Sequence, residues 1–406
     1  MDIEPSKTIE VHALTQTMIS RGEDIVSLCV GEPDFDPPKP ILDATRKAID
    51  DGHTRYTAVS GTILLRKAIS KHLLERKGTA YAADEVLVCN GAKQAVFEAV
   101  MATVRPGDEV IIPAPYWPSY PEIVKIAGGI PVIVETTREG GYLLQPEALA
   151  SALTPNTRML IFCNPSNPTG AVHGAGEVEA LASVLATHEH GPQVWVLADE
   201  IYERLVYDGV DCPAFAAARG GAMWPRTLTV NGFSKAYAMT GYRLGYLAAP
   251  KDVVRACATL QGQITSCASS VAQAAGLAAL ELPWEGELEP LVAEMQAKRD
   301  MVFARLAAMP GVGLPENPPS GAFYLLPEVE TFFGRTSGGG EVASEGGALL
   351  HDSTALCVAL LAESGVALVP GDAFGAPRAV RISYAASHAD LQRALDRLEE
   401  WLSRVV

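Results

Sequence analysis

Two rhythms of apolar and polar residues alternate along the chain. Residues 85–89 (EVLVC), 109–113 (EVIIP), 131–134, 159–163 (MLIFC), 194–198 (VWVLA) and 227–230 form short runs rich in Val and Ile, without a two-residue alternation. Such runs predict strands buried on both faces of a largely parallel sheet. Between them, residues 92–103, 118–127, 146–153 and 176–187 carry apolar side chains at helical spacing. Strand–helix alternation at this interval predicts right-handed βαβ units and an α/β fold. From about residue 280 the texture changes. A long helical stretch over 287–309 leads to a strand at 322–326 (AFYLL), a helix at 353–364, strands at 367–369 and 380–383, and a last helix over 389–405. This predicts a smaller α+β domain joined by the N-terminal segment. The expected division is 40–285 for the large domain, with 1–39 and 286–406 forming the small one. Residues 334–347 (GRTSGGGEVASEGG) read as a flexible, exposed loop.

Composition agrees with a packed molecule. Of 406 residues, 48% are apolar and 20% charged, which excludes wholesale disorder. There are 32 Lys+Arg against 48 Asp+Glu, a formal net charge of −16. That balance repels phosphate backbones and argues against a nucleic-acid partner. No apolar run reaches the ~18–20 residues of a membrane helix, and no secretory leader is visible, so no membrane association is expected. The seven cysteines are odd in number and lack a CxxC pair, as for buried thiols in a reducing compartment. Phosphate-loop, dinucleotide, serine-hydrolase and HExxH zinc patterns are all missing. His188 and His190 form an HxH pair without a third ligand nearby, so no metal is expected.

The most informative window is 232–245, GFSKAYAMTGYRLG. Lys235 follows a predicted strand and stands among Phe233, Tyr237 and Met239, poor company for a solvated amine. A desolvated amine has a depressed pKa and can form a Schiff base with a carbonyl cofactor. Arg243, eight residues on, can clamp a phosphate.

This window resembles, position by position, the lysine-attachment signature of class I pyridoxal-phosphate aminotransferases. Further matches follow in the family's order: Gly31 in GEPDFD, Tyr56 in RYTAVSG, and Gly91, Ala92 and Lys93 in NGAKQA. Then come Trp117 in PAPYWPSY, Asn167 in NPSNPTG, Asp199 and Tyr202 in DEIY, and Arg381 in RISYA. The resemblance runs from Pro5 to the final helix. It implies the type I fold of PLP-dependent transferases, a large domain with a mostly parallel sheet plus a smaller α+β domain. The implied cofactor is pyridoxal 5′-phosphate.

The resemblance also implies roles. Lys235 is the attachment and proton-transfer residue. Asp199 pairs with the pyridinium nitrogen, since an unpaired carboxylate closing a buried strand is costly; a helix N-cap is the plainer alternative. Tyr202 and Asn167 hydrogen-bond the cofactor's phenolic oxygen, and Trp117 stacks on the ring. Gly91, Ala92 and Lys93 open a helix whose N–H groups bind the phosphate, with Ser234 and Arg243. Tyr56 reaches the partner subunit's phosphate, implying a homodimer with shared sites. Arg381 holds the substrate α-carboxylate, with Gly31, Trp117 and Asn167 beside it.

The sequence departs from relatives at four positions. Gly232 stands for a common serine, Tyr242 for tryptophan, Leu64 for glutamate and Pro37 for threonine. Ser234 is expected to make up for Gly232.

The pattern is most similar to bacterial-type aspartate aminotransferases of subgroup one-beta. Residues 260–280 and 369–385 resemble the plant and algal plastid branch. This implies aspartate or glutamate as donors and oxaloacetate, 2-oxoglutarate or prephenate as acceptors, the last giving arogenate. Thr8 (PSKT) and Lys93 match residues associated with the substrate's second carboxylate, although Glu4 replaces a common lysine. The implied location is the chloroplast stroma, or else a bacterial cytoplasm. The alternatives are a PLP-dependent lyase on the same fold, an aromatic or kynurenine-type aminotransferase, and a PLP-binding regulator. The last needs a basic winged-helix module, for which this acidic chain offers no sequence.

Overall fold

The computed structural model describes residues 7–337 and 347–406, with only the backbone for 7–10 and 12. Most of the predicted loop 334–347, and the side chain of Thr8, lie outside the described residues.

The centre is a seven-stranded sheet. Its spatial order is Val86–Cys89, Gly245–Ala248, Thr227–Gly232, Trp195–Asp199, Thr157–Cys163, Glu109–Ala114 and Ile130–Glu135. Gly245–Ala248 pairs antiparallel with both neighbours, whereas the next four pairings are parallel. Sequence reasoning missed this strand, because its four residues (GYLA) follow the lysine window without a separate apolar run. Val86–Cys89, Thr227–Gly232 and Gly245–Ala248 nonetheless belong to a doubly covered core. Leu87, Cys89, Leu228, Val230 and Leu247 pack on one face, Val86, Val88, Tyr246 and Ala248 on the other.

The run 131–134 departs from expectation: Ile130–Glu135 is an edge strand and is not buried on both faces; Ile130 is 51% and Ile133 38% exposed. Pro131 lacks an N–H and suits an edge, which the apolar run could not reveal.

Helices form where predicted and stop for local reasons. Ala92–Thr103 buries Ala95, Val96, Ala99 and Val100, and ends before the Arg105–Pro106–Gly107 break. Ser353–Ser364 opens on Asp352, whose carboxylate accepts the Ala355 N–H at 2.7 Å, and closes on left-handed Gly365. His388–Ser403 is capped by Ser387 and buries Leu391, Leu395, Leu398 and Trp401.

A three-stranded antiparallel sheet lies apart, ordered Val369–Pro370, Val380–Ser383, Tyr324–Leu325. The predicted strand 322–326 shrinks to two residues, and 367–369 splits. Val366–Ala367 pairs instead, in parallel, with Val26–Ser27 from the N-terminal segment.

Candidate active site

Six strands of the large sheet run the same way, so their C-terminal ends share one edge. Ligands of open α/β sheets bind outside such ends. Asp199 is the last residue of its strand, and Gly91, Trp117, Asn167 and Lys235 follow theirs within four residues. Arg381 approaches from the three-stranded sheet. A cavity of about 480 Å³ is lined by Gly31, Ala92, Lys93, Trp117, Asn167, Asp199, Tyr202, Ser234, Lys235, Arg243 and Arg381. Eleven predicted residues therefore meet in one place.

Lys235 donates to the Gly31 carbonyl oxygen. Burial pulls its pKa down to about 8; Glu32 and Asp199 oppose this, and Arg381 and Arg243 reinforce it. Asp199 is buried and accepts the Tyr120 hydroxyl at 2.7 Å and the Ile201 N–H at 3.3 Å. Burial raises its pKa to about 6 against those two hydrogen bonds. A buried carboxylate facing a cavity, with only neutral donors in contact, is suited to a cationic ring nitrogen. Along DEIYE the chain alternates: Asp199 and Tyr202 face the cavity, while Glu200 and Glu203 turn to buried Lys77 at 3.4 and 2.9 Å.

The helix Ala92–Thr103 starts at Gly91, whose φ of +85° favours glycine. A Cβ there would lie 2.6 Å from the Arg243 Nη2, so the guanidinium sits directly against the helix start. No side chain caps this helix, and the first-turn N–H groups with Arg243 and Ser234 can hold a phosphate. Lys93 lies over the Trp117 ring, 4.8 Å from its centre, and its pKa is lowered by burial and then by Arg243. A Cβ on Gly232 would lie 2.9 Å from the Gly245 Cα, so the common serine does not fit this backbone; Ser234 lines the cavity in its place.

Arg381 is buried. Its Nη1 donates to Asn167 Oδ1 at 3.1 Å and its Nη2 to the Cys29 carbonyl at 2.6 Å. Its Nε has no hydrogen-bond partner among the described residues. Tyr324 and Phe374 cover its guanidinium, with ring centres at 4.5 and 4.8 Å. On a chain of net charge −16, four cationic side chains thus ring a cavity whose lining, among the described residues, holds two carboxylates, Asp199 and Glu32. That local field favours anionic ligands.

Tyr56 does not join this cavity and is 88% exposed. Lys93 and Arg243 also border a second hollow of about 750 Å³, lined by Phe97, Tyr116, Ile126 and Ile264. Sequence reasoning missed Tyr120 and Tyr324. Tyr120 sits three residues past Trp117 in the same quoted motif, and Tyr324 was visible only as part of AFYLL. Among the described residues, no group of three or more His, Cys, Asp or Glu could hold a metal, and no helix is long and apolar enough to cross a membrane.

The family model for aminotransferase class I and II matches residues 23–398. A bifunctional aspartate aminotransferase and glutamate/aspartate-prephenate aminotransferase of Petunia hybrida is 45% identical over 402 residues, 98% of this chain and 81% of that protein. An aspartate/prephenate aminotransferase of Cereibacter sphaeroides is 45% identical over 397 residues, covering 98% and 96%. The crystal structure of the aspartate aminotransferase of Rhizobium meliloti superposes with a TM-score of 0.92 at 41% identity, covering 100% and 98%.

Proposed function

The chain belongs to the class I and II aminotransferases and works by PLP-dependent transamination, and from that premise we propose that it moves an amino group between aspartate or glutamate and 2-oxo acids, prephenate among them. The carrying observation is the convergence of Lys235, Asp199 and Arg381 on one cavity beside an uncapped helix start.

In this reading the residues divide the work. The N–H groups after Gly91, with Ser234 and Arg243, seat the cofactor's phosphate. Asp199 keeps the ring nitrogen protonated, Trp117 packs on the ring, and Asn167 and Tyr202 face its phenolic oxygen. The bound cofactor supplies an electron sink for the carbanion at the substrate Cα. Arg381 grips the α-carboxylate and orients the Cα–H bond toward Lys235. Lys235 Nζ, freed as a neutral amine, takes that proton and later returns one. Its lowered pKa supports the role, because a neutral amine near pH 8 is a usable base.

Aspartate and prephenate carry a second carboxylate, which needs a further cation or donor. We propose Lys93 for it, which its position on the cavity wall supports, and Thr8 with it on likeness alone. The two relatives' names support this choice of substrates. Mixing the protein with aspartate and 2-oxoglutarate should interconvert the cofactor's aldehyde and amine forms, which a lyase would not do. Thr8→Val and Lys93→Met should each lower kcat/KM for prephenate by about ten- to a hundred-fold. Equal losses on a monocarboxylic amino acid would remove both from substrate recognition.

We further propose a homodimer in which Tyr56 serves the partner's site. Its exposure, and the second hollow behind Lys93 and Arg243, support this. Mixed Tyr56→Phe and Lys235→Ala subunits should regain activity after exchange; no recovery counts against sharing. A division at 40–285 would let the part bearing Arg381 close on substrate. For the compartment we propose the chloroplast stroma that the resemblance implies, with a bacterial cytoplasm as the alternative; the relatives include both a plant and a bacterial protein. Immunodetection in isolated plastids separates the two.

A further inference from the structure

Tyr324 touches three parts of the site, and no motif accounts for it. It opens the short strand Tyr324–Leu325, which pairs with the strand of Arg381. Its ring carries the Arg381 guanidinium, 4.5 Å from the ring centre. Its hydroxyl stands 2.9 Å from that of Tyr202, on the large-sheet side of the cavity. The same hydroxyl lies 2.6 Å from where a Cβ on Gly31 would be, so the substrate loop must pass it as glycine. Tyr202 and Tyr324 are 3% and 1% exposed, so bulk water cannot substitute for either partner.

A phenol has one proton and donates one hydrogen bond. If the Tyr202 proton goes to a ligand in the cavity, the 2.9 Å contact can persist only with Tyr324 as donor. The Arg381 charge favours that direction, since it makes the nearer phenol the more acidic of the two. A donated hydrogen bond also polarises the acceptor's own O–H and strengthens its next bond.

We propose that Tyr324 is a positioning residue for transamination: its hydroxyl donates to the Tyr202 oxygen and so directs and strengthens the Tyr202 hydrogen bond to the cofactor's phenolic oxygen. The inference rests on the reading that Tyr202 faces that oxygen. It also ties the arginine proposed to seat the substrate carboxylate to the residue that tunes the cofactor, through one side chain.

The test is a spectrophotometric pH titration of the bound cofactor in wild type, Tyr324→Phe, Tyr202→Phe and the double variant. Donation to the phenolic oxygen holds the midpoint low, so losing it moves the midpoint up. The other ionisable groups facing the two phenols are unchanged in the set: Lys235, 5.8 Å from the Tyr202 ring centre, Arg381, Cys163, Glu32 and, across the cavity, Asp199. We expect about one unit or more for Tyr202→Phe, about half a unit for Tyr324→Phe, and a double variant equal to Tyr202→Phe. Phenylalanine keeps the ring against Arg381, so KM for substrate should stay within about two-fold while the midpoint moves. A Tyr324→Phe midpoint at the wild-type value, with Tyr202→Phe shifted, overturns the inference and leaves the Tyr202 reading standing. So does a double variant whose shift is the sum of the two. No shift in Tyr202→Phe overturns the reading beneath and the inference with it.

Discussion

The two walls of the cavity hold their side chains differently. On the large-sheet wall, groups sit just beyond the C-terminal ends of parallel strands, on turns a few residues long. On the opposite wall, Arg381 and Tyr324 stand within strands of four and two residues. The first wall is anchored by a doubly covered sheet; the second is joined to it by a few backbone bonds, such as the Ala322 N–H to the Leu205 carbonyl, and by side-chain bonds across the gap. Arg381–Asn167 spans 214 positions of sequence and Tyr202–Tyr324 spans 122. The turn-borne wall suits fixed chemistry on a cofactor, and the bonded wall suits a part that adjusts to its substrate.

The sharpest way to break this division is at Lys235. If the turn-borne wall does the chemistry, Lys235→Ala should lower kcat by at least about 10³-fold. Borohydride should fix the cofactor on the peptide containing Lys235 and on no other. Label on Lys93, which shares the wall, would sink the assignment. The pH dependence has a definite sign. Burial holds the amine near 8, so the neutral, nucleophilic form grows as pH rises. Cofactor capture should therefore speed up about five-fold from pH 7 to 8.

Asp199→Asn is next in size. It should bind cofactor yet lose about 10²–10³-fold in turnover, because an amide cannot hold the ring nitrogen protonated. The cofactor-free protein should respond oppositely. The folded pKa of Asp199, about 6, lies above its unfolded value, so its charged form destabilises the folded state at pH 7. That penalty is absent below about pH 3, where both states are protonated, grows as pH rises from about 4 to about 6, and is full at pH 7. The asparagine variant should thus melt a few degrees higher at pH 7 without cofactor, and no higher at pH 3. A variant less stable at both pH values would mean that Asp199 is structural.

The same contrast explains what could be read from the chain. Each turn-borne group comes with its own contiguous motif, because the turn that aims it is local: NGAKQA sets a glycine at a helix start, and FSK sets the lysine after a strand. The strands Thr157–Cys163 and Trp195–Asp199 were legible for a related reason, since burial on both faces leaves an unbroken apolar run. Tyr120 and Tyr324 were not legible as site residues. Each acts through a partner 79 or 122 positions away, and nothing local marks that partner. The edge position of Ile130–Glu135 and the antiparallel Gly245–Ala248 follow from sheet order, which no window of sequence carries.

The smallest effect expected of these is at Tyr120, and it asks whether the large-sheet wall also depends on bonds between distant residues. Tyr120 lies on the helix Ser119–Ile126 and donates to Asp199 at 2.7 Å. A hydrogen bond to a charged group contributes roughly 1.5–3 kcal/mol. In Tyr120→Phe the carboxylate keeps the Ile201 N–H and, on the proposed reading, the ring nitrogen it also has in wild type, so the change is limited to this one bond and its lower bound applies. The expected loss in kcat/KM is therefore about ten-fold at neutral pH, well short of Asp199→Asn. The pH profile identifies the cause. The phenol stabilises the charged carboxylate, so removing it raises the Asp199 pKa further and moves the acid limb of kcat/KM toward neutral pH. Above that limb the variant should approach wild type. A uniform ten-fold loss at every pH, with the limb unmoved, would place Tyr120 in ring packing against Trp117, whose centre is 5.2 Å away, and leave Asp199 supported by its own turn alone.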